Sequence, residues 1–342
     1  MLQGKLSQII KVSLGLALAV TVGVLSNVLS VHADSGGAPS KIGEPNNTAV
    51  LPLTYAYVTT DNAPVYAHPS QSAPLRNLGA GYLWVSLANA QPFVYDGQTW
   101  YQINVNEYVR ADNLSVYQPS HFKGVAPATH PERPFAWLVY SAQPSSQPGE
   151  SPAVDAPLLP RYTLVDILEQ QQVGEWTWYR VGENQWVEQR NVGVVTPVSR
   201  PEGVGANEKW IEVNLFEQTL AAYEGDRIVY ATLVSSGLPY WKTQTGLFRM
   251  WATVQQAKMS GRDGYADYYF LEDVPYAMYF YQSFALHTAY WHDLFGFPHS
   301  HGCVNLAPQD AQWLFNWVTP VSESNWTLSS DENPGTWVWV HD

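Results

Sequence analysis

From Trp210 the chain runs Trp210-Ile211-Glu212-Val213-Asn214-Leu215, an apolar/polar alternation with a period of two that predicts a half-buried strand. Glu217-Gln218-Thr219 predicts the turn that returns it through Leu220-Ala221-Ala222-Tyr223, and residues 228–235 continue the sheet into Ser236-Gly237. Thr243-Gln244-Thr245-Gly246 predicts a further turn, with a strand over 247–251. Only 308–318 carries a helical pattern: Pro308 suits a first turn, and Ala311, Leu314, Phe315 and Val318 share one face. This part of the chain is therefore expected to be mainly β, with one or two short helices.

Earlier in the chain, short apolar and aromatic runs are broken by Pro, Gly, Asn and Asp over 53–120 and again over 133–198, which predicts two small β-modules. Their ends match at an offset of 78 positions. Thr99-Trp100-Tyr101-Gln102-Ile103 aligns with Thr177-Trp178-Tyr179-Arg180-Val181, Tyr108-Val109 with Trp186-Val187, Asn113 with Asn191 and Val116 with Val194. Two copies are too few for a solenoid, so two separate beads are expected. Trp100, Tyr101, Trp178 and Tyr179 either bind a ligand or fill the module cores; strand alternation lets at most one of each pair be core. Residues 144–160, rich in Pro, Ser and Ala, read as a surface loop, and 197–205 as a linker.

At the start, Lys5 and Lys11 precede an uncharged apolar stretch over 12–31 that ends in Val31-His32-Ala33. Residues 1–33 are expected to be a cleaved signal peptide or an uncleaved membrane anchor, with 34–52 as linker. Either would place the rest outside the cytoplasmic membrane, secreted or tethered. Thirty acidic against 17 basic residues give a net charge of −13, which argues against a nucleic-acid partner and against bulk attraction to anionic wall polymers. With 46% hydrophobic and 14% charged residues, the 342-residue chain can bury real cores, and global disorder is excluded. The single cysteine excludes an internal disulfide.

That cysteine sits where the chemistry gathers. No Lys or Arg follows Arg262, yet His287, His292, His299 and His301 crowd the stretch that ends at Cys303. An ordinary thiol is only about 3% ionised at pH 7, so a nucleophilic cysteine needs a partner that takes its proton, and histidine is the candidate at hand. Gly302 allows a sharp turn that brings backbone N–H groups close to a reacting carbonyl. Together these parts describe acyl transfer.

His287 with Ser300-His301-Gly302-Cys303-Val304-Asn305 resembles the signature of the L,D-transpeptidase catalytic domain, the YkuD-type β-sandwich of bacterial cell-wall enzymes. The likeness covers about 208–341 and extends to Ile211-Glu212-Val213-Asn214-Leu215, Ser235-Ser236-Gly237, 245–250 and 274–278. The earlier repeats resemble SH3-like barrels, which implies contact with the cell wall. The transpeptidase resemblance implies Cys303 as nucleophile, His287 as proton acceptor and donor, and the Thr288 carbonyl as the group that orients the ring. It further implies oxyanion amides around His301, Gly302 and Cys303, with Ser300 and Asn305 fixing the loop. Peptidoglycan stem peptides would be the substrates, no cofactor is called for, and Tyr276, Tyr279, Tyr290 and Trp291 are candidates for the groove wall. Thr288 stands where many relatives have Gly, and Gln244 where the family often has Pro.

Three alternatives remain at this level. His301, two residues from Cys303, could serve as the base, but its Cα would lie about 7 Å away along an extended strand, whereas a histidine from a neighbouring strand can come closer. His299, His301 and Cys303 alternate and could offer a His2Cys metal set, although Gly302 points to a turn. Cys303 could also be a small buried hydrophobe.

Overall fold

The computed structural model describes residues 42–43, 54–152, 154–322 and 324–342. The leader expected over 1–33 lies outside them. So does most of the linker expected over 34–52, except Ile42–Gly43, which pairs antiparallel with Ala126–Pro127. Among the described residues no helix is long and apolar enough to cross a membrane.

Two sheets and one helix, Pro308–Trp317, make the C-terminal sandwich. In the first sheet the strands lie in the order Arg227–Leu233, Thr219–Glu224, Lys209–Asn214, Trp337–His341, Gly246–Arg249. Lys209–Asn214 and Trp337–His341 run parallel, and the other pairs are antiparallel. The second sheet is built on the long strand Tyr269–Tyr281, which pairs with Ala252–Gly261 on one side and Phe284–Thr288 on the other. Alternate residues of both sheets meet in one core: Ile211 and Val213, Val338 and Val340, Met278 and Phe280, Leu286, Val304 and Leu306, closed by Leu314 and Phe315 of the helix. That is the period of two turned into a packed interior.

The expectation of a half-buried strand at 210–215 needs correction, because both faces of Lys209–Asn214 are covered. Trp210, Tyr223 and Leu233, on the outer face, share a second core with Phe135, Trp137, Val139 and Val195 from the second repeat and with Phe122. Glu212 is buried there because Tyr223 Oη donates to its carboxylate at 3.1 Å and the His341 Nε2 lies 3.0 Å from it. A polar residue in a strand pattern marks a solvent face only when no other element supplies it with partners.

The repeats obey the 78-residue offset element by element. Gln98–Asn104, Glu107–Arg110, the 3-10 turn Ala111–Asn113 and Leu114–Tyr117 in the first recur as Trp176–Gly182, Gln185–Glu188, Gln189–Asn191 and Val192–Val195 in the second. Trp100 and Tyr179 are buried, and Tyr101 packs on the first module's core, so these side chains fill the modules. The exposed aromatics of the first module are Tyr82, Phe93 and Tyr95 instead.

Nor are the modules separate beads. Tyr82–Leu87 of the first pairs parallel with Tyr269–Tyr281, with Leu83 opposite Phe270, so the second sheet of the sandwich continues into the module. The second module meets the first sheet at Gly193, where a Cβ would lie 2.6 Å from the Leu233 side chain. Short-period patterns reveal each unit's own core and leave no trace of a core shared between units.

Candidate active site

Cys303 and His287 are brought together by strand alternation in two adjacent strands. Phe284–Thr288 pairs parallel with Val304–Leu306, with Leu286 opposite Val304 and His287 opposite Asn305. Leu286, Val304 and Leu306 point into the sandwich core, so His287 and Asn305 lie on the other face. Extending that register one step sets Cys303 beside Ala285, two residues along the strand from His287. Such diagonal neighbours are about 7–8 Å apart at the backbone, within reach of an imidazole.

The His287 ring is buried, and its Nδ1 lies 2.9 Å from the Thr288 carbonyl oxygen. A carbonyl only accepts, so Nδ1 carries the proton and Nε2 is left with the free lone pair of a base. Burial pushes the imidazole pKa down to about 4, against the raising influence of that carbonyl. Burial likewise pushes the Cys303 thiol up to about 11, partly offset by a backbone hydrogen bond from Ala285. The sulfur lies 3.8 Å from the Ser283 carbonyl, a partner that suits S–H and repels S⁻. Both groups are therefore neutral at rest.

The turn before Cys303 is held from several sides. Gly302 has φ +124°, and a Cβ there would fall 2.3 Å from the Phe284 ring. Ser300 Oγ donates to the Cys303 carbonyl and accepts the Gly302 N–H at 3.0 Å. Because that bond occupies the Gly302 amide, the donors free to meet a reacting oxygen are the N–H groups of His301 and Cys303, which no described residue accepts from. Thr243 Oγ1 donates to the Gly302 carbonyl at 2.8 Å and accepts the Gly237 N–H at 2.9 Å. Gly237 cannot carry a side chain: its Cβ would sit 2.0 Å from the Trp241 carbonyl. Gln218 braces the same loop, accepting the Ser236 N–H and donating to Ser236 Oγ.

Replacing Gly302 by alanine should cut activity about a hundredfold, since the turn carrying Cys303 must shift. Full activity of Gly302→Ala in a product assay would refute this constraint.

Thr243 and Gln218 are absent from the sequence-based candidates. Their hydroxyl and carboxamide act on residues distant in sequence, and a turn motif gives no sign of that. Tyr269 was also missed. Its phenol pKa is raised by burial and by the Cys303 sulfur, as is that of Tyr279, so both stand near the thiol.

The remaining candidates fall in different places. The His301 ring stacks between Trp241, at 4.2 Å, and Tyr269, at 5.0 Å. The His299 ring turns instead to His292, at 4.3 Å. The alternating His2Cys set thus has no regular strand to stand on, and among the described residues no three His, Cys, Asp or Glu side chains converge on a metal position. Trp291 lies 5.8 Å from the His287 ring. Tyr276, read from sequence as a groove residue, is buried in the sandwich core with its ring 5.2 Å from Phe315, because its strand turns that position toward the helix.

Comparison with known proteins bears on this site. Residues 208–340 match the family model of the YkuD L,D-transpeptidase catalytic domain. No curated protein matches the chain. Among solved structures, the chain is similar to an L,D-transpeptidase from Stackebrandtia nassauensis, 27% identical over 40% of this chain and 57% of that one, with a TM-score of 0.29. It is also similar to the catalytic domain of the E. faecium L,D-transpeptidase, 26% identical over 40% of this chain and 98% of the other, TM-score 0.31. A third is an L,D-transpeptidase from Mycobacterium smegmatis, 17% identical over 64% and 90%, TM-score 0.34. The YkuD domain thus comprises the sandwich and both candidate catalytic residues, while the repeats precede it.

Proposed function

We propose that the protein is a peptidoglycan L,D-transpeptidase in which Cys303 is the nucleophile and His287 the general base and acid. The observation that carries this reading is the shared face of the two side chains, with Nδ1–H tied to Thr288 and Nε2 left basic. Nε2 takes the thiol proton as sulfur attacks the stem-peptide carbonyl between a diamino acid and a terminal D-amino acid. The His301 and Cys303 amides receive the developing oxyanion. The C–N bond breaks, the imidazolium returns its proton to the leaving D-amino acid, and a thioester remains on Cys303. An amine from a second stem then gives its proton to His287 and attacks the thioester, which forms the cross-link and frees the thiol. Water in place of the amine gives carboxypeptidase action.

On this reading the protein works outside the cytoplasmic membrane, and the repeats are SH3-like modules that contact the wall. Purified enzyme incubated with a disaccharide-tetrapeptide should yield, by mass spectrometry, a dimer lacking one terminal D-residue. A trimmed tripeptide alone would identify a carboxypeptidase, and untouched substrate would favour a noncatalytic wall-binding protein.

A further inference from the structure

The loop that follows His287, residues 289–297, is held by its own domain, where Tyr290 Oη donates to the Glu272 carbonyl, Ser235 Oγ to the Leu294 carbonyl and the Gly296 N–H to the Val234 carbonyl, and also by the N-terminal half of the chain. Tyr290 stacks on Tyr55 of the first module, ring centroids 3.5 Å apart and planes within 6°. Asp293 accepts hydrogen bonds on Oδ1 from Ser120 Oγ at 2.5 Å and from Tyr162 Oη at 2.9 Å. Arg161 donates to its carbonyl at 2.7 Å, and Nη1 lies 3.7 Å from Oδ2. Phe295 packs on Phe122. Gly296, at φ +95°, lets Val139 of the second module approach so closely that a Cβ would fall 2.3 Å from it.

We propose that the two repeats form part of the active-site frame, with Asp293 as the positioning residue through which they fix the loop between His287 and Cys303. The neighbour of Asp293 supplies the link. His292 Nδ1 accepts the Leu294 N–H at 3.1 Å, so its neutral ring carries the proton on Nε2, which lies 2.9 Å from the Asn305 carboxamide nitrogen. Two donors cannot face each other, and Asn305 Oδ1 is buried without a partner. Turning the carboxamide over removes the clash of donors, with Nε2–H donating to Oδ1. Asn305 in turn is the register partner of His287, and its N–H and carbonyl are bonded to Ser235. A shift at Asp293 therefore reaches the strand that follows Cys303 and pairs with that of His287, through the two buried side chains His292 and Asn305.

This inference rests on the assignment of Cys303 and His287, so the test separates the two. In the full chain, Arg161→Ala combined with Tyr162→Phe removes the second module's share of the clamp and leaves Ser120, without touching the YkuD domain. The double variant should lose ~10-fold in kcat, with KM within twofold of wild type, because misplacement of reacting groups costs rate more than binding. Alkylation of Cys303 by iodoacetamide at pH 8 should slow by a similar factor, and Arg161→Lys should recover at least about half the rate, since it keeps the charge and a donor. If the double variant does not fold, Tyr162→Phe alone, which deletes one oxygen, should still lose ~3-fold in kcat and alkylation. Wild-type kcat and alkylation in a folded variant with a lowered Tm would overturn the proposal and leave the clamp purely structural. Wild-type kcat in His287→Gln would instead overturn the assignment of the base.

Discussion

Cys303→Ala is expected to abolish acyl transfer, a loss of at least ~10^4-fold, and His287→Gln to cost ~10^3-fold, with little change in Tm for either. No other thiol exists in the chain to substitute, and glutamine can keep a hydrogen bond to the Thr288 carbonyl without supplying a base. The pH dependence is set by the shifted imidazole and thiol. With the imidazole pushed down to about 4 and the thiol up to about 11, the competent pair of free base and protonated thiol persists between those values. Turnover should rise through about pH 4 and stay level across neutral pH. Alkylation by a small reagent, which reads free thiolate, should keep climbing from pH 7 to pH 10. A thiolate–imidazolium pair at rest would instead give alkylation level from about pH 5 upward, and that profile would refute the neutral pair.

The second large effect concerns Asp310, on the first turn of the helix and fully buried. Its carboxylate accepts from the Gly124 N–H at 2.7 Å, Tyr230 Oη at 2.7 Å and Thr232 Oγ1, which pins the chain between the repeats to the YkuD domain. Asp310→Ala leaves the buried Gly124 N–H and Tyr230 hydroxyl without their acceptor and should destabilise the protein by about 4 kcal/mol, roughly 1–3 kcal/mol for each. Asp310→Asn should be tolerated. Its amide can donate to Thr232 Oγ1, whose own hydrogen can turn to the Leu233 carbonyl, 3.2 Å away.

Burial raises the Asp310 pKa from 3.8 to about 6, against the lowering effect of its three donors. A carboxyl with a folded pKa above its unfolded value binds more protons in the folded state between those limits. Its contribution is most favourable below about pH 4 and falls as pH rises through about 6, by about 3 kcal/mol at 1.36 kcal/mol per unit. Denaturant unfolding of wild type and Asp310→Asn at pH 4, 5, 6 and 7 should show the variant gaining on wild type over that interval. A constant difference would mean that the group ionises in the folded protein as it does in water.

Much of the fold and site could be read along the chain, where neighbours in structure are also near in sequence or share a period. The helix lies at Pro308–Trp317 within the expected 308–318, and strands at Lys209–Asn214 and Arg227–Leu233 follow the alternation. The repeat offset persists in the elements because two chains with the same spacing of turns close the same hairpins. Glu212 misleads because a long-range partner, His341, and not water, satisfies it. Thr243 escaped notice because a hydroxyl in a turn looks the same whether it faces solvent or bonds to Gly302.

The order of residues alone determined which side chains could do chemistry: a single thiol after a glycine, histidines nearby, and the alternation within each strand. Side-chain alternation is a covalent property of extended backbone, so it can be read without coordinates. Only the tertiary structure decided that the pair is neutral at rest, that Ser300 takes the Gly302 amide, and that the two repeats close over the loop after His287. Those outcomes depend on which groups lose water and which distant partners replace it, and that is fixed only when separate stretches of chain pack together.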